Sequence, residues 1–386
     1  MKDNITDKLA IITAGNLVYF GGAEKFAVEV AKKLNKEFEI TIFSKKYHSE
    51  KRLDIAFIKK QLPKEKIIEY NCFKIPITQE YFPKINEFFK LIISLKKFNI
   101  IYNIDVSLSS LIILNLCKLF FKTKIIFVGE DPYFLSKNPI ENKFYKKLFF
   151  KYYRSFKMNL LKNFDTIQVI NSKDEKLIKK IGYKNKLFFI PNFIYEEKKT
   201  DIKISNKFIV LFVGRLDAIK HKGLNFLKNI IDNVLSKNKE IEFHIVGSGV
   251  SGENIVKGLV NKYPKNVYYK GFLTGNMLDE EYENATIFIL TSRFESFGLV
   301  VLEAQAKGLP VISFDIPGPK DIVTAFSGSI IKSFDTQSFS DKILEYYKLW
   351  KSNKIDIKYK NRIIKYIFNK YSYKVIIPKI EKMIKD

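Results

Sequence analysis

TSRFESFGLVVLEAQAKGLPVISFDIPGPKDIV, residues 291–323, carries the reading of the fold. The apolar run Ile287–Leu290 stands just before it, FGLVVLEAQAKG has a helical apolar period that Gly308 and Pro310 stop, and Val311–Phe314 is a second short apolar run. Strand, loop, helix and strand in that order form the unit of a parallel sheet covered by helices. The rhythm continues outward. Upstream lie Phe208–Val213, Ile241–Val246 and Val267–Tyr269, and in the first half Leu9–Thr13, Phe38–Ser44, Asn99–Tyr102, Lys124–Val128, Thr166–Ile170 and Leu187–Ile190. After Ile194 the chain turns polar and aperiodic (YEEKKTDIKISNK), which marks a boundary. The class expected is α/β with two doubly wound, Rossmann-like domains, residues 1–197 and 206–365, and a C-terminal helix, 366–386, that packs back on the first. Ligands of such folds bind beyond the C-terminal ends of the strands, here in a cleft between the domains.

The 386 residues, 46% of them apolar and 28% charged, are enough for two cores and exclude a disordered chain or a fibre. No 18-residue stretch is free of charge, and acids flank the short apolar run at the start. Neither a membrane-spanning helix nor a secretory signal is expected, which points to a cytoplasmic protein. Cys72 and Cys117 lack metal-ligand spacing, and with only three histidines a metal site is not expected. The net charge of +26 leans toward the first half and favours anionic partners. Part of it is accounted for by the general wealth of Lys, Ile, Asn and Phe. Nucleic acid is a poor candidate: no binding module is present, and the positive charge spreads over both halves.

Three places carry chemistry. Glu295 lies on the loop after a strand and Glu303 inside the helix that follows, so two carboxylates stand at different depths around a helix start formed by Ser296, Phe297, Gly298, Leu299 and Val300. A carboxylate accepts from sugar diols, and backbone amides at a helix start face an anion. Paired carboxylates also suit glycoside hydrolysis, but a helix start between them argues for phosphate. Gly214 and Arg215 leave the strand Phe208–Val213 with Lys220 and Lys222 close behind, the outline of a diphosphate clamp; a solvated basic loop is the plainer alternative. Gly21 and Gly22 follow the first strand and open a helix, which suits close approach of a ligand or simply punctuates a turn.

Together these stretches resemble glycosyltransferase family 4, retaining enzymes of GT-B fold that use nucleotide sugars. GGAE at 21–24, GRL at 214–216, KGLNFL from Lys222, IVGSG at 245–249, ESFGLVVLE and KGLPVISFDIPGP occur in the family's order. The resemblance implies that Arg215 and a lysine grip the donor diphosphate. Lys222 fits the following helix and Lys220 the offset from the arginine. It further implies that Glu295 contacts the donor sugar, that Glu303 holds the ribose, and that residues 296–300 offer amides to the phosphates. Gly214 and Gly247 line the same site, and Gly21 and Gly22 approach the diphosphate or the acceptor. Glu130 stands where many members carry a histidine and is expected to serve partly in its place. Transfer would keep the anomeric configuration, without a metal. The donor would be a UDP- or GDP-sugar giving a hexose or N-acetylhexosamine to a lipid-linked or surface glycan. The alternative is a silent protein that binds sugar nucleotide or serves as a partner subunit.

NKFYKKLFFKYYRSFKMNLLKNF, residues 142–164, holds seven bases and no acid. Tyr145, Phe149, Tyr152, Phe156 and Leu160 form one stripe and Lys143, Lys147, Lys151 and Arg154 another. The aromatic stripe is expected to pack on the sheet, with the basic one available for peripheral contact with an anionic membrane at the inner face of the cell.

Overall fold

The computed structural model describes all residues except 1–6, 20, 48–54, 79, 130–143, 196–201 and 203. The chain divides into two compact units, Met1–Asn192 with Ile376–Asp386, and Phe193–Val375. Both divisions are displaced from those read in the sequence, because a polar stretch marks exposed chain but does not say which core its apolar neighbours enter. Phe193 and Tyr195 are buried with their rings edge to face, and Ile194 N donates to Tyr371 O (2.8 Å), so the second unit begins before the polar stretch. It also keeps the helix Ile357–Tyr371, whose Ile363 and Ile367 are buried. Only from Ile376 does the last helix, Tyr373–Lys385, belong to the first unit.

The first unit is an eight-stranded sheet in the order β4-β3-β2-β1-β5-β6-β7-β8. The strands are β1 Lys8–Ile12, β2 Glu39–Lys46, β3 Lys66–Lys74, β4 Tyr81–Pro83, β5 Ile100–Asn103, β6 Lys124–Gly129, β7 Thr166–Val169 and β8 Lys186–Phe189. All pairs are parallel except β3 with β4. The helices Ile85–Leu95, Leu108–Phe120 and Phe144–Leu161 bury Leu91, Leu114 and Leu161 in one shared core.

In the helix Phe144–Leu161 the expected packing holds at Leu160, which packs on the core, and at Lys151, which is exposed, but fails for three aromatic residues. Phe149, Tyr152 and Phe156 are 42%, 66% and 50% exposed, whereas Lys157, Met158 and Leu161 are buried. The physical reason is the Lys157 ammonium, which meets the Glu80 carboxylate at 2.9 Å and brings its own face of the helix inward. No described helix is long and apolar enough to cross a membrane.

The second unit is a six-stranded sheet ordered β11-β10-β9-β12-β13-β14, with β9 Phe208–Val213, β10 Ile241–Val246, β11 Val267–Gly271, β12 Ile287–Leu290, β13 Val311–Phe314 and β14 Gly328–Ile331. Every pair is parallel. Counted from β9, this is the doubly wound order 3-2-1-4-5-6. Its direction of winding reverses between β9 and β12, the kind of switch point at whose strand C-terminal ends ligands of doubly wound sheets bind.

Candidate active site

The loops that leave β9 and β12 bring together the residues on which the sequence reading depends. After β9 the chain runs through Gly214 and Arg215 into a single turn, Ile219–Lys222, and then into the helix Leu224–Lys237. Gly223 joins the two with φ 65°, and a β-carbon there would lie 2.0 Å from Thr291 O. A glycine is therefore what lets the β9 loop touch the β12 loop. Thr291 Oγ1 donates to Lys222 O (2.9 Å) and Arg293 N to His221 O (2.8 Å), which locks the contact.

Lys222 Nζ consequently donates to Glu295 Oε1 at 2.6 Å, and Ser292 Oγ donates to the same oxygen at 2.8 Å. Both charged side chains are close to fully buried. Burial alone would raise the Glu295 carboxyl. The Lys222 and His221 charges and the two hydrogen bonds outweigh it, so the group sits below its usual range and stays ionised. His221 Nε2 lies 2.6 Å from Phe294 O, which can only accept, so that nitrogen carries the proton. Burial, together with the Lys222 and Arg215 charges, lowers its pKa against the opposing pull of Glu295. Arg215 is half-buried and close enough to act on that imidazole. Lys220, on the same turn, is exposed; of the two lysines only Lys222 reaches Glu295.

The helix Leu299–Ala306 starts from Gly298 directly after Glu295. Its first residues, Leu299 and Val300, are half-buried, while the Phe297 side chain is buried against Tyr371. Ser296, also half-buried, precedes it. Glu303 lies one turn into this helix, half-buried, and accepts from Tyr282 Oη at 3.1 Å. Burial first, then the Glu303 charge, pushes the Tyr282 phenol well above its usual range, so it remains a donor.

Gly247 is a contact between loops: at φ 146°, a β-carbon would fall 1.9 Å from Gly214 O. It seals the β10 loop onto the β9 loop and so holds Arg215 in place. Gly21 and Gly22 belong to the first unit. Gly21 caps the helix Gly22–Leu34 without a side chain, and Glu24 in its first turn is buried. Glu130 lies outside the described residues. Three groups of the cluster went unassigned in the sequence. Ser292 and His221 sit inside quoted stretches but have no distinctive spacing, and Tyr282 lies on the preceding helix, Gly275–Asn284, where nothing local marks it. The cluster as a whole offers two cations and a helix start for an anion, and two carboxylates for hydroxyl groups.

Residues 193–369 match the family described as "Glycosyl transferases group 1". The chain is 31% identical over 182 residues to the poly(glycerol-phosphate) alpha-glucosyltransferase of Bacillus subtilis, covering 45% of this chain and 26% of that protein. It is 28% identical over 196 residues to the poly(ribitol-phosphate) alpha-N-acetylglucosaminyltransferase of Staphylococcus aureus, covering 50% and 38%. The chain thus matches well under half the length of these curated relatives. In three dimensions it resembles a variant of S. aureus TarM crystallised with fondaparinux, alpha-GlcNAc-glycerol and UDP. The TM-score is 0.73 at 14% identity, over 99% of this chain and 100% of that one. The segment that holds Arg215, Lys222, Glu295 and Glu303 is thus the part of the chain that matches the glycosyl transferases group 1 family, and the chain that carries it has the GT-B fold.

Proposed function

We propose that the protein is a retaining glycosyltransferase that moves a hexose or N-acetylhexosamine from a nucleoside diphosphate sugar, UDP-linked before GDP-linked, to an anionic glycan or polyol-phosphate acceptor on the cytoplasmic side of the membrane. The observation that carries the reading is the meeting of Lys222 with Glu295 where the β9 and β12 loops touch, beside a helix start. Arg215, Lys222 and the amides of Leu299 and Val300 neutralise the diphosphate as it leaves, and preorganised charge of this kind is the largest catalytic term in most such reactions. Glu303 accepts from the ribose hydroxyls and Glu295 from the donor sugar.

The bond from the anomeric carbon to the diphosphate oxygen breaks, and its electron pair stays on that oxygen. The acceptor hydroxyl bonds to the same carbon on the same face, and its proton passes to the departing phosphate. A carboxylate held below its usual range is a poor base, which supports leaving Glu295 as a binding group. UDP in the TarM complex supports that nucleotide, and the polyanionic acceptors named for both curated relatives suit a chain of net charge +26.

The test measures nucleotide release from UDP-glucose, UDP-N-acetylglucosamine and GDP-mannose, with and without a glycerol-phosphate polymer. Release from one UDP-sugar that the polymer accelerates is expected. Arg215→Ala should lower it by about 10²–10³-fold, the loss typical of one charge-stabilising group. Tight donor binding without turnover would favour the silent reading, and no binding of any sugar nucleotide would refute both.

A further inference from the structure

Two of the helices that share one core with the first unit's sheet have an apolar row left over after that core is filled. Leu91 and Leu95 of the helix Ile85–Leu95 and Met158 and Leu161 of Phe144–Leu161 are buried in the same cluster. Yet Ile85, Phe89 and Ile93, spaced at four residues, and Phe149, Tyr152 and Phe156 remain between 42% and 79% exposed. Spacings of four in the first set, and of three and four in the second, put each set on one helix face, so these are rows and not scattered surface residues. The helix between them, Leu108–Phe120, touches both neighbours and ends on exposed Leu119 and Phe120.

The surroundings are basic. Lys84, Lys90, Lys151 and Lys162 are exposed on or beside the two outer helices, and Glu87 is the single acid in the sequences of all three. Aromatic packing gives the rows a fixed shape: Phe149 stacks on Tyr153 at 5.8 Å, and Phe88 meets Phe89 edge to face at 5.5 Å.

We propose that this face of the first unit docks on an anionic lipid bilayer, its apolar rows entering the boundary between headgroups and acyl chains and its lysines meeting the lipid phosphates. Apolar rows edged with lysine are the pattern of an interfacial element. A second copy of the chain is the weaker occupant, since a symmetric contact would set this lysine-rich surface against itself. A soluble polyanion would satisfy the lysines and leave both rows in water. The inference is independent of the chemistry proposed for the second unit.

Sedimentation of the full chain with vesicles tests it, using phosphatidylcholine alone and phosphatidylcholine mixed with phosphatidylglycerol. Binding to the mixed vesicles is expected, weakened but not abolished by salt. The combined variant Phe89→Ser, Phe149→Ser and Tyr152→Ser should lower the partition by about tenfold or more, because three rings no longer leave water. Val250→Ser with Met277→Ser, at exposed apolar positions of the second unit, should leave it unchanged. All five positions are at the surface, and unaltered thermal unfolding would verify that the variants fold. The proposal is overturned by no binding to mixed vesicles, by binding that salt abolishes and the serine variant retains, or by a dimer that the serine variant dissociates.

Discussion

A hydroxyl 21 residues away in sequence fixes one of the two site carboxylates. Tyr282 is 2% exposed, and its Oη donates to Glu303 Oε2 at 3.1 Å, which orients the carboxylate from behind. If Glu303 receives the ribose hydroxyls, that orientation has a price for nucleotide affinity when it is lost. Tyr282→Phe should weaken UDP binding by about ten- to a hundredfold, the worth of a hydrogen bond to a charged group. It should leave 2′,3′-dideoxy-UDP unaffected, since that ligand offers Glu303 nothing to hold. Calorimetric titration of both nucleotides checks the contrast, and an equal loss for the two would reduce Tyr282 to a packing role. Arg215, Lys222, Glu295 and Glu303 stand out in the sequence because charged groups at strand ends and helix starts are chemically conspicuous. Tyr282 is not conspicuous, because a tyrosine on an amphipathic helix reads as core until the fold shows what its hydroxyl touches.

At the scale of the element, the site depends on how closely two loops approach. Gly223 has φ 65° with Thr291 O where a β-carbon would go, whereas Gly258 sits exposed inside the helix Val250–Lys262 with open space around it. Gly223→Ala should cost about 3 kcal/mol from backbone strain and overlap, and should part Lys222 from Glu295. Gly258→Ala should stabilise by about 0.5–1 kcal/mol, because it removes only unfolded-state freedom. Urea unfolding of the two variants measures both, and equal effects would mean that the loop contact bears no strain. Loss of the Lys222–Glu295 pair has its own pH signature. The folded-state pKa of Glu295 is depressed, so its contribution is present above the ordinary carboxylate range and disappears as pH falls through the lowered value.

The strands that the sequence hid have a common cause. β3, KIIEYNCFK, has a single buried residue and interleaves charge with apolar residues, β4 is only three residues long, and β14, GSII, is half made of glycine and serine. None makes the continuous apolar run by which a buried parallel strand is read. The central strands β1, β5, β6, β9, β12 and β13 do, because both of their faces are covered.

For the molecule as a whole, the chain path divides one core between its two ends. Ile376, Ile380, Met383 and Ile384 come from the last eleven residues yet are buried in the unit that begins the chain. Lys124 Nζ donates to Met383 O (3.0 Å) and Ile384 O (2.7 Å), so a lysine at the start of β6 takes up carbonyls that the end of the last helix leaves unpaired. Lys385 pairs with Glu37 at 3.1 Å on the same unit. Full burial of an aliphatic side chain is worth about 1.5–3 kcal/mol, so four of them approach the ~5–15 kcal/mol by which a whole domain is stable. The sequence reading already sent a C-terminal helix back to the first unit; what it misplaced is the start of the return, because residues 366–375 stay with the second unit and a helical period does not say where the chain crosses from one core to the other. Ile380→Asp should therefore unfold the first unit well below the temperature at which the second melts. Each unit has its own sheet and core, so calorimetry should show the early transition displaced to lower temperature and a later one, raised by added UDP, held in place. Both transitions moving together by the same amount would mean that the units unfold as one, and that the returning helix stabilises the whole chain and not only the unit it enters.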